Sequence, residues 1–171
     1  MAVHGVSIAV PEPWCAQLQQ LREDVGDPLA QAIPPHITLM PPTEIAESEM
    51  DRFRTHLESV AKQHGPFSMR LRGTGTFRPV SPVVFVQVAQ GIPMCERLEQ
   101  AVRSGPVRRQ LDFPYHPHVT LAHDVPVAAL ERAFKDLAAF SCSFVADVVR
   151  LYVHEGDGVW RTRTDQELAG G

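Results

Sequence analysis

Apolar and polar positions alternate with a period of two in several short runs, and switch to a helical period between them. Val3 to Val10 alternates and predicts a strand with Val6, Ile8 and Val10 on one face. Beyond Pro13, Trp14, Leu18, Leu21 and Val25 fall on one helical stripe that Gly26-Asp27-Pro28 stops. Pro34-Pro35 leads into a short strand, His36-Ile37-Thr38-Leu39, which Pro41-Pro42 is expected to close. A second helix is expected to begin at Ser48 with Asp51 as capping partner, and to turn Met50, Phe53, Leu57 and Val60 inward. Phe67 to Leu71 alternates again and runs into the glycine-punctuated stretch from Gly73 to Arg78.

The second half repeats this order. Val83 to Val88 predicts a strand, and Pro93 opens a helix with Met94, Leu98 and Val102 inward. A loop from Val107 to Tyr115 precedes the strand Pro117-His118-Val119-Thr120-Leu121. Pro126 opens a fourth helix with Val127, Leu130, Phe134 and Leu137 on one side. Ser143 to Val153 reads as one long strand, with Val159 to Thr164 as its hairpin partner across Gly156-Asp157-Gly158. The prolines at positions 13 and 93 are 80 residues apart, and the two His-x-Thr strands are offset by 82. The pattern is an internal duplication of a strand–helix–strand–helix–strand unit. It predicts an α+β bilobal fold, lobe 1 about 1–78 and lobe 2 about 79–168, with strands free to exchange between lobes. A pseudo-two-fold axis would set His36 opposite His118 across a cleft.

Composition narrows the function classes without choosing one. With 171 residues, 44% hydrophobic and 21% charged, the chain suits an ordinary soluble protein. No apolar run approaches the roughly 18 residues of a membrane span, and Met1 to Val10 lacks the features of a secretory signal. Three cysteines without paired spacing fit a reducing cytoplasm, and the chain is expected to act as a monomer. A formal charge of −4 argues against a broad grip on DNA or long RNA, while leaving room for a small phosphorylated ligand.

The candidate chemistry sits in the repeated strands. Side chains at i and i+2 share a face of a strand, so His36 with Thr38, and His118 with Thr120, point away from Ile37, Leu39, Val119 and Leu121. One His-x-Thr among eight histidines means little, but two at equivalent places in a duplicated unit are hard to attribute to chance. Two imidazoles with ordinary values near about 6.5 can divide the roles of base and acid. Threonine hydroxyls beside them can hold the oxygens of a phosphoryl group. A metal centre built from His116, His118, His123 and Asp124 is the competing reading. Against it, Pro34 stands where His116 would be in the first repeat, and His123 has the wrong parity to join His118 unless the chain bends. Phe77, Arg78, Tyr115 and His116 are secondary substrate-binding candidates. Arg108-Arg109 reads as a solvated loop pair, Trp14 and Trp160 read as core or lobe-interface residues, and His4, His56, His64 and His154 carry no functional reading.

The Pro-His-aliphatic-Thr-Leu strings, their spacing and the repeat order resemble the two-histidine (2H) phosphoesterases, in particular the bacterial 2′-5′ RNA ligase/cyclic phosphodiesterase group. The resemblance covers nearly the whole chain. It implies two antiparallel sheets with flanking helices around a cleft crossed by His36, Thr38, His118 and Thr120. It also implies no metal or other cofactor, and a small nucleotide or RNA end carrying a 2′,3′-cyclic phosphate, or a 2′-5′ linkage, as substrate. One departure stands out: Ala122-His123-Asp124 occurs where many members carry an arginine, which leaves room for a nucleotide-sized substrate. The alternative from another class is a binding module that keeps the cleft without turnover.

Overall fold

The computed structural model describes residues 2–170. In chain order the elements are β1 (Val3–Ala9), α1 (Trp14–Asp24), β2 (His36–Glu44), α2 (Glu47–Gln63), β3 (Phe67–Thr76) and β4 (Val83–Gln90). They continue with α3 (Ile92–Arg103), β5 (His118–His123), α4 (Val127–Asp136), β6 (Ser141–Ala146), β7 (Val148–His154) and β8 (Trp160–Glu167). The strands form two four-stranded antiparallel sheets, ordered β2-β1-β7-β8 and β5-β4-β3-β6. The first sheet joins β1 and β2 from the first half of the sequence to β7 and β8 from the second, and the second sheet joins β4, β5 and β6 from the second half to β3 from the first. β3, from the first half of the sequence, pairs with β4, and β7, from the second half, pairs with β1.

This exchange explains why the run from Ser143 to Val153 is two strands and not one. The chain breaks at Asp147: β6 pairs with β3 in one sheet and β7 with β1 in the other. Both sheets bury one face, so the alternation continues through the break and hides it from the sequence. Two further expectations are corrected. β2 runs on through Pro41-Pro42 to Glu44, because β2 is an edge strand, where a missing N–H on the outer side breaks no ladder bond. Helix α2 begins at Glu47 after Ala46 without a side-chain cap, and Ser48 and Asp51 form no capping pair. Glu47 and Glu49 in its first turn instead favour the positive end of the helix dipole.

The apolar stripes meet in a core shared by both sheets, in which Val6, Leu18, Phe53, Leu71, Val86 and Leu98 are buried. Trp14 bridges the two halves by stacking on Phe144 of β6, with ring centroids 6.5 Å apart. Among the described residues no helix is long and apolar enough to cross a membrane. The strands that carry the repeated motif are firmly seated in this core. Ile37, Leu39, Val119 and Leu121 are all wholly buried, each contributing about 1.5–3 kcal/mol of hydrophobic stabilisation.

Candidate active site

Burying the aliphatic residues of β2 and β5 leaves His36, Thr38, His118 and Thr120 partly exposed on the opposite face. The two strands pack against each other where the sheets meet. Both imidazoles are held the same way. His36 Nδ1 lies 2.8 Å from the Pro34 carbonyl, and His118 Nδ1 lies 2.6 Å from the His116 carbonyl. A carbonyl only accepts, so in each ring Nδ1 carries the proton and donates it, leaving the Nε2 lone pair free in the neutral form.

Burial is the main cause that lowers both histidines. His36 is pushed down to about 4, with the Pro34 bond opposing the shift and the charges of Arg22 and His118 adding to it. His118 is lowered as well, chiefly by burial, with the bond to the His116 carbonyl opposing and the charge of His116 adding.

The chain does bend where His123 needed it to. On β5, Thr120 lies opposite Phe85 and Ala122 opposite Val84, so Leu121 is an extra residue in a β-bulge. Leu121 and Ala122 are therefore both buried in succession, and His123 turns to the face of His118 and Thr120. Asp124 follows with a φ of 56°, its carboxylate 3.5 Å from His123 Nε2. Among the described residues no three His, Cys, Asp or Glu side chains converge in a way that could hold a metal ion.

The secondary candidates divide differently from their sequence reading. Phe77 is packed on Phe85 (4.5 Å between centroids) and meets His118 edge-on at 4.9 Å, so it walls the imidazole. Arg78 donates to Glu131 at 2.6 Å and to the Thr76 hydroxyl, which takes up its charge. The Tyr115 hydroxyl donates to the Thr38 carbonyl at 2.8 Å, tying the loop before β5 to the first motif strand. His116 serves His118 through its backbone carbonyl, while its exposed ring lies beside Phe77 and Phe85. Arg109 turns its guanidinium back on the Gln110 carbonyl of its own loop.

A cavity of about 220 Å³ opens beside the motif strands, with His36, Thr38, Thr120 and His123, though not His118, in its lining. Its other walls come from residues the sequence did not single out, among them Arg22, Leu29 and Tyr152. Trp160 also lines it and is a cleft residue, where the sequence reading made it core or interface. Arg22 and Asp27 form an ion pair at 3.3 Å with both side chains at most 4% exposed, and Arg22 Nη1 donates to the Ile33 carbonyl. The one signal that could have flagged Arg22 is its place beside Leu18 and Leu21, on the apolar side of α1.

A family model described as the 2′-5′ RNA ligase superfamily matches residues 10–158. A Geobacillus kaustophilus protein provisionally named a phosphoesterase is 27% identical over 121 residues, 71% of this chain and 69% of that relative. A Halalkalibacterium halodurans protein with the same provisional name is 30% identical over 99 residues, 58% of this chain. That match spans little more than half, 57%, of the relative's length. Among solved structures, TT0787 of Thermus thermophilus superposes with a TM-score of 0.66 at 25% identity, covering 99% of each chain. Escherichia coli LigT, crystallised with 3′-AMP, gives a TM-score of 0.72 at 21% identity over 96% of this chain and 97% of its own, a likeness of fold.

Proposed function

Because the chain belongs to the 2′-5′ RNA ligase superfamily, we propose that its cleft is a phosphoesterase site that opens a ribose 2′,3′-cyclic phosphate. The observation that carries this reading is the matched pair of imidazoles, each fixed through Nδ1 to the carbonyl two residues before it and each accompanied by a threonine. A binding module has no need of two titratable rings with oriented Nε2 atoms. Acid–base cleavage needs both.

His36, pushed down to about 4 by burial, is the base that takes a proton from the attacking water. The water oxygen bonds to phosphorus, the bond from phosphorus to O3′ breaks, and the leaving O3′ receives a proton from His118. The product is a 2′-phosphomonoester with a free 3′-hydroxyl. An anionic phosphoryl group between the rings raises the proton affinity of both, and His118, which no arginine lowers, is the one that holds the acid proton. Thr38 and Thr120 donate to the non-bridging oxygens and stabilise the charge that builds there. The same groups serve the reverse joining step in the opposite protonation states. The relatives provisionally named phosphoesterases and the 3′-AMP held by LigT support a nucleotide-sized substrate.

The test is steady-state hydrolysis of adenosine 2′,3′-cyclic phosphate by the parent and by His36→Ala and His118→Ala. Each variant is expected to lose about 10²–10⁴ in kcat with its fold intact. A loss of only a few-fold in both would overturn the acid–base assignment, and nucleotide binding without turnover by the parent would favour the binding module.

A further inference from the structure

Each sheet ends in two edge strands, and an edge presents backbone donors and acceptors with which another strand can pair. Two of these edges, β2 and β5, pack against each other where the sheets meet. A third, β8, is blunted by charge, carrying Arg161, Arg163, Asp165 and Glu167 within eight residues. The fourth, β6, has neither protection. Its sequence, Ser141-Cys142-Ser143-Phe144-Val145-Ala146, holds no charge and no proline. On its inner side it pairs with β3 along its whole length. Among the described residues no other backbone segment bonds to it.

The side chains on and beside β6 are apolar in the strand and charged at its ends. Val145 is 58% exposed on the solvent face, a large aliphatic group without cover. On the other face Phe144 is only partly buried, stacked on a Trp14 that is itself part exposed. At the start of the strand, Arg72 and Arg70 of β3 stand opposite Ser141 and Ser143, both arginines exposed. At its end, Ser68 and Phe67 are the uncharged neighbours of Val145 and Ala146. There the exposed Asp147 follows directly. The edge is therefore basic at one end and acidic at the other.

We infer that β6 is a docking edge for the β6 of a second copy of this chain, in place of the monomer expected from the sequence. The two strands run antiparallel about a two-fold axis, so the start of each lies beside the end of the other. Arg72 of each copy then faces the Asp147 end of its partner, whereas a parallel pairing would set Asp147 beside Asp147. Because one edge carries both complementary charges, its best match is itself and not an unrelated peptide. Antiparallel pairing also keeps like faces together. Val145 falls beside Ser141 or Ser143 of the other copy, and Phe144 beside Cys142 or Phe144. The two Arg70 side chains, three strand spacings or about 14 Å apart, are screened from each other. The contact is one strand deep and belongs with interfaces below about 1,200 Å², which are reversible. β5 is the opposite edge of the same sheet, so pairing through β6 leaves the motif strands uncovered.

The experiment is sedimentation velocity of the full chain from about 1 µM to about 500 µM, the range in which a small reversible interface fills. The parent is expected to rise with concentration from the 19.0 kDa of one chain to twice that mass. Ser143→Lys and Ser143→Glu alter an exposed side chain next to the axis, and far-UV circular dichroism checks that both are folded. Each alone should stay a monomer at every concentration, because like charges meet across the pair. An equimolar mixture of the two should recover the dimer, a result that a merely damaged strand does not give. A parent that stays at 19.0 kDa throughout overturns the inference and leaves β6 to a strand of another protein. A dimer that survives in either folded variant alone also overturns it, by placing the contact elsewhere. A mixture that remains monomeric overturns the two-fold pairing.

Discussion

The two motif strands present the same His-x-Thr face to very different surroundings. In the first sheet, Ala9 lies opposite His36 and Ser7 opposite Thr38, and the space beside them is the open cavity. In the second sheet, Gln87 lies opposite His118 and Phe85 opposite Thr120. There the face is filled, with Phe85 and Phe77 set against the imidazole at 5.2 and 4.9 Å. A duplicated unit has kept its His-x-Thr pairs and lost its symmetry around them. One lobe provides room and the other provides a wall. The difference also separates the imidazoles chemically: His36 is held at about 4, with Arg22 adding to the effect of burial, whereas His118 gains no lowering from an arginine.

The largest way to break this asymmetry is to attack what holds the open side open. Arg22→Met leaves Asp27 buried without its partner, with a carboxylate that still orders the loop by accepting from the Leu29 N–H at 2.9 Å. The expected cost is about 3–5 kcal/mol of folding stability, read by urea denaturation. A change below about 1 kcal/mol would mean that the pair does not hold that loop. A smaller effect is expected on the filled side. A Cβ at Gly75 would stand 2.6 Å from Phe85 Cε2, so Gly75→Ala must displace the ring that walls His118. Shifting a reacting group by about 1 Å costs up to about 10²-fold in kcat, while KM, set on the open side, should hardly move. An equal change in KM would show that the filled lobe also binds the rest of the substrate.

Much of this architecture was legible from the chain. The period-two and helical stripes locate all four helices and the motif strands, and the offset between the repeats exposes the duplication. What stayed hidden has physical reasons. The exchange of β3 and β7 between sheets leaves no mark, because a strand buried on one face alternates in the same way whichever sheet receives it. The bulge at Leu121 reverses the parity of everything after it, so His123 looked misdirected. The open cavity depends on the absence of large side chains at Gly5 and Ser7 in its lining, and absence has no pattern. Trp160 is apolar and partly buried, the profile of a core residue, and Leu29, which lines the same cavity, comes from a distant part of the chain.

The central claim is that His36 works as base and His118 as acid, and kcat/KM against pH tests it most directly. His36 must be neutral to accept a proton, so activity is lost as pH falls through about 4. His118 must carry a proton to give one, so activity is also lost as pH rises through its own value, which burial holds below 6.5. The predicted profile for adenosine 2′,3′-cyclic phosphate is therefore a bell with its maximum between those limits. His36→Ala should remove the acid limb along with most of the rate. A profile that climbs to a plateau above neutral pH, or one unchanged in shape by His36→Ala, would contradict the assignment.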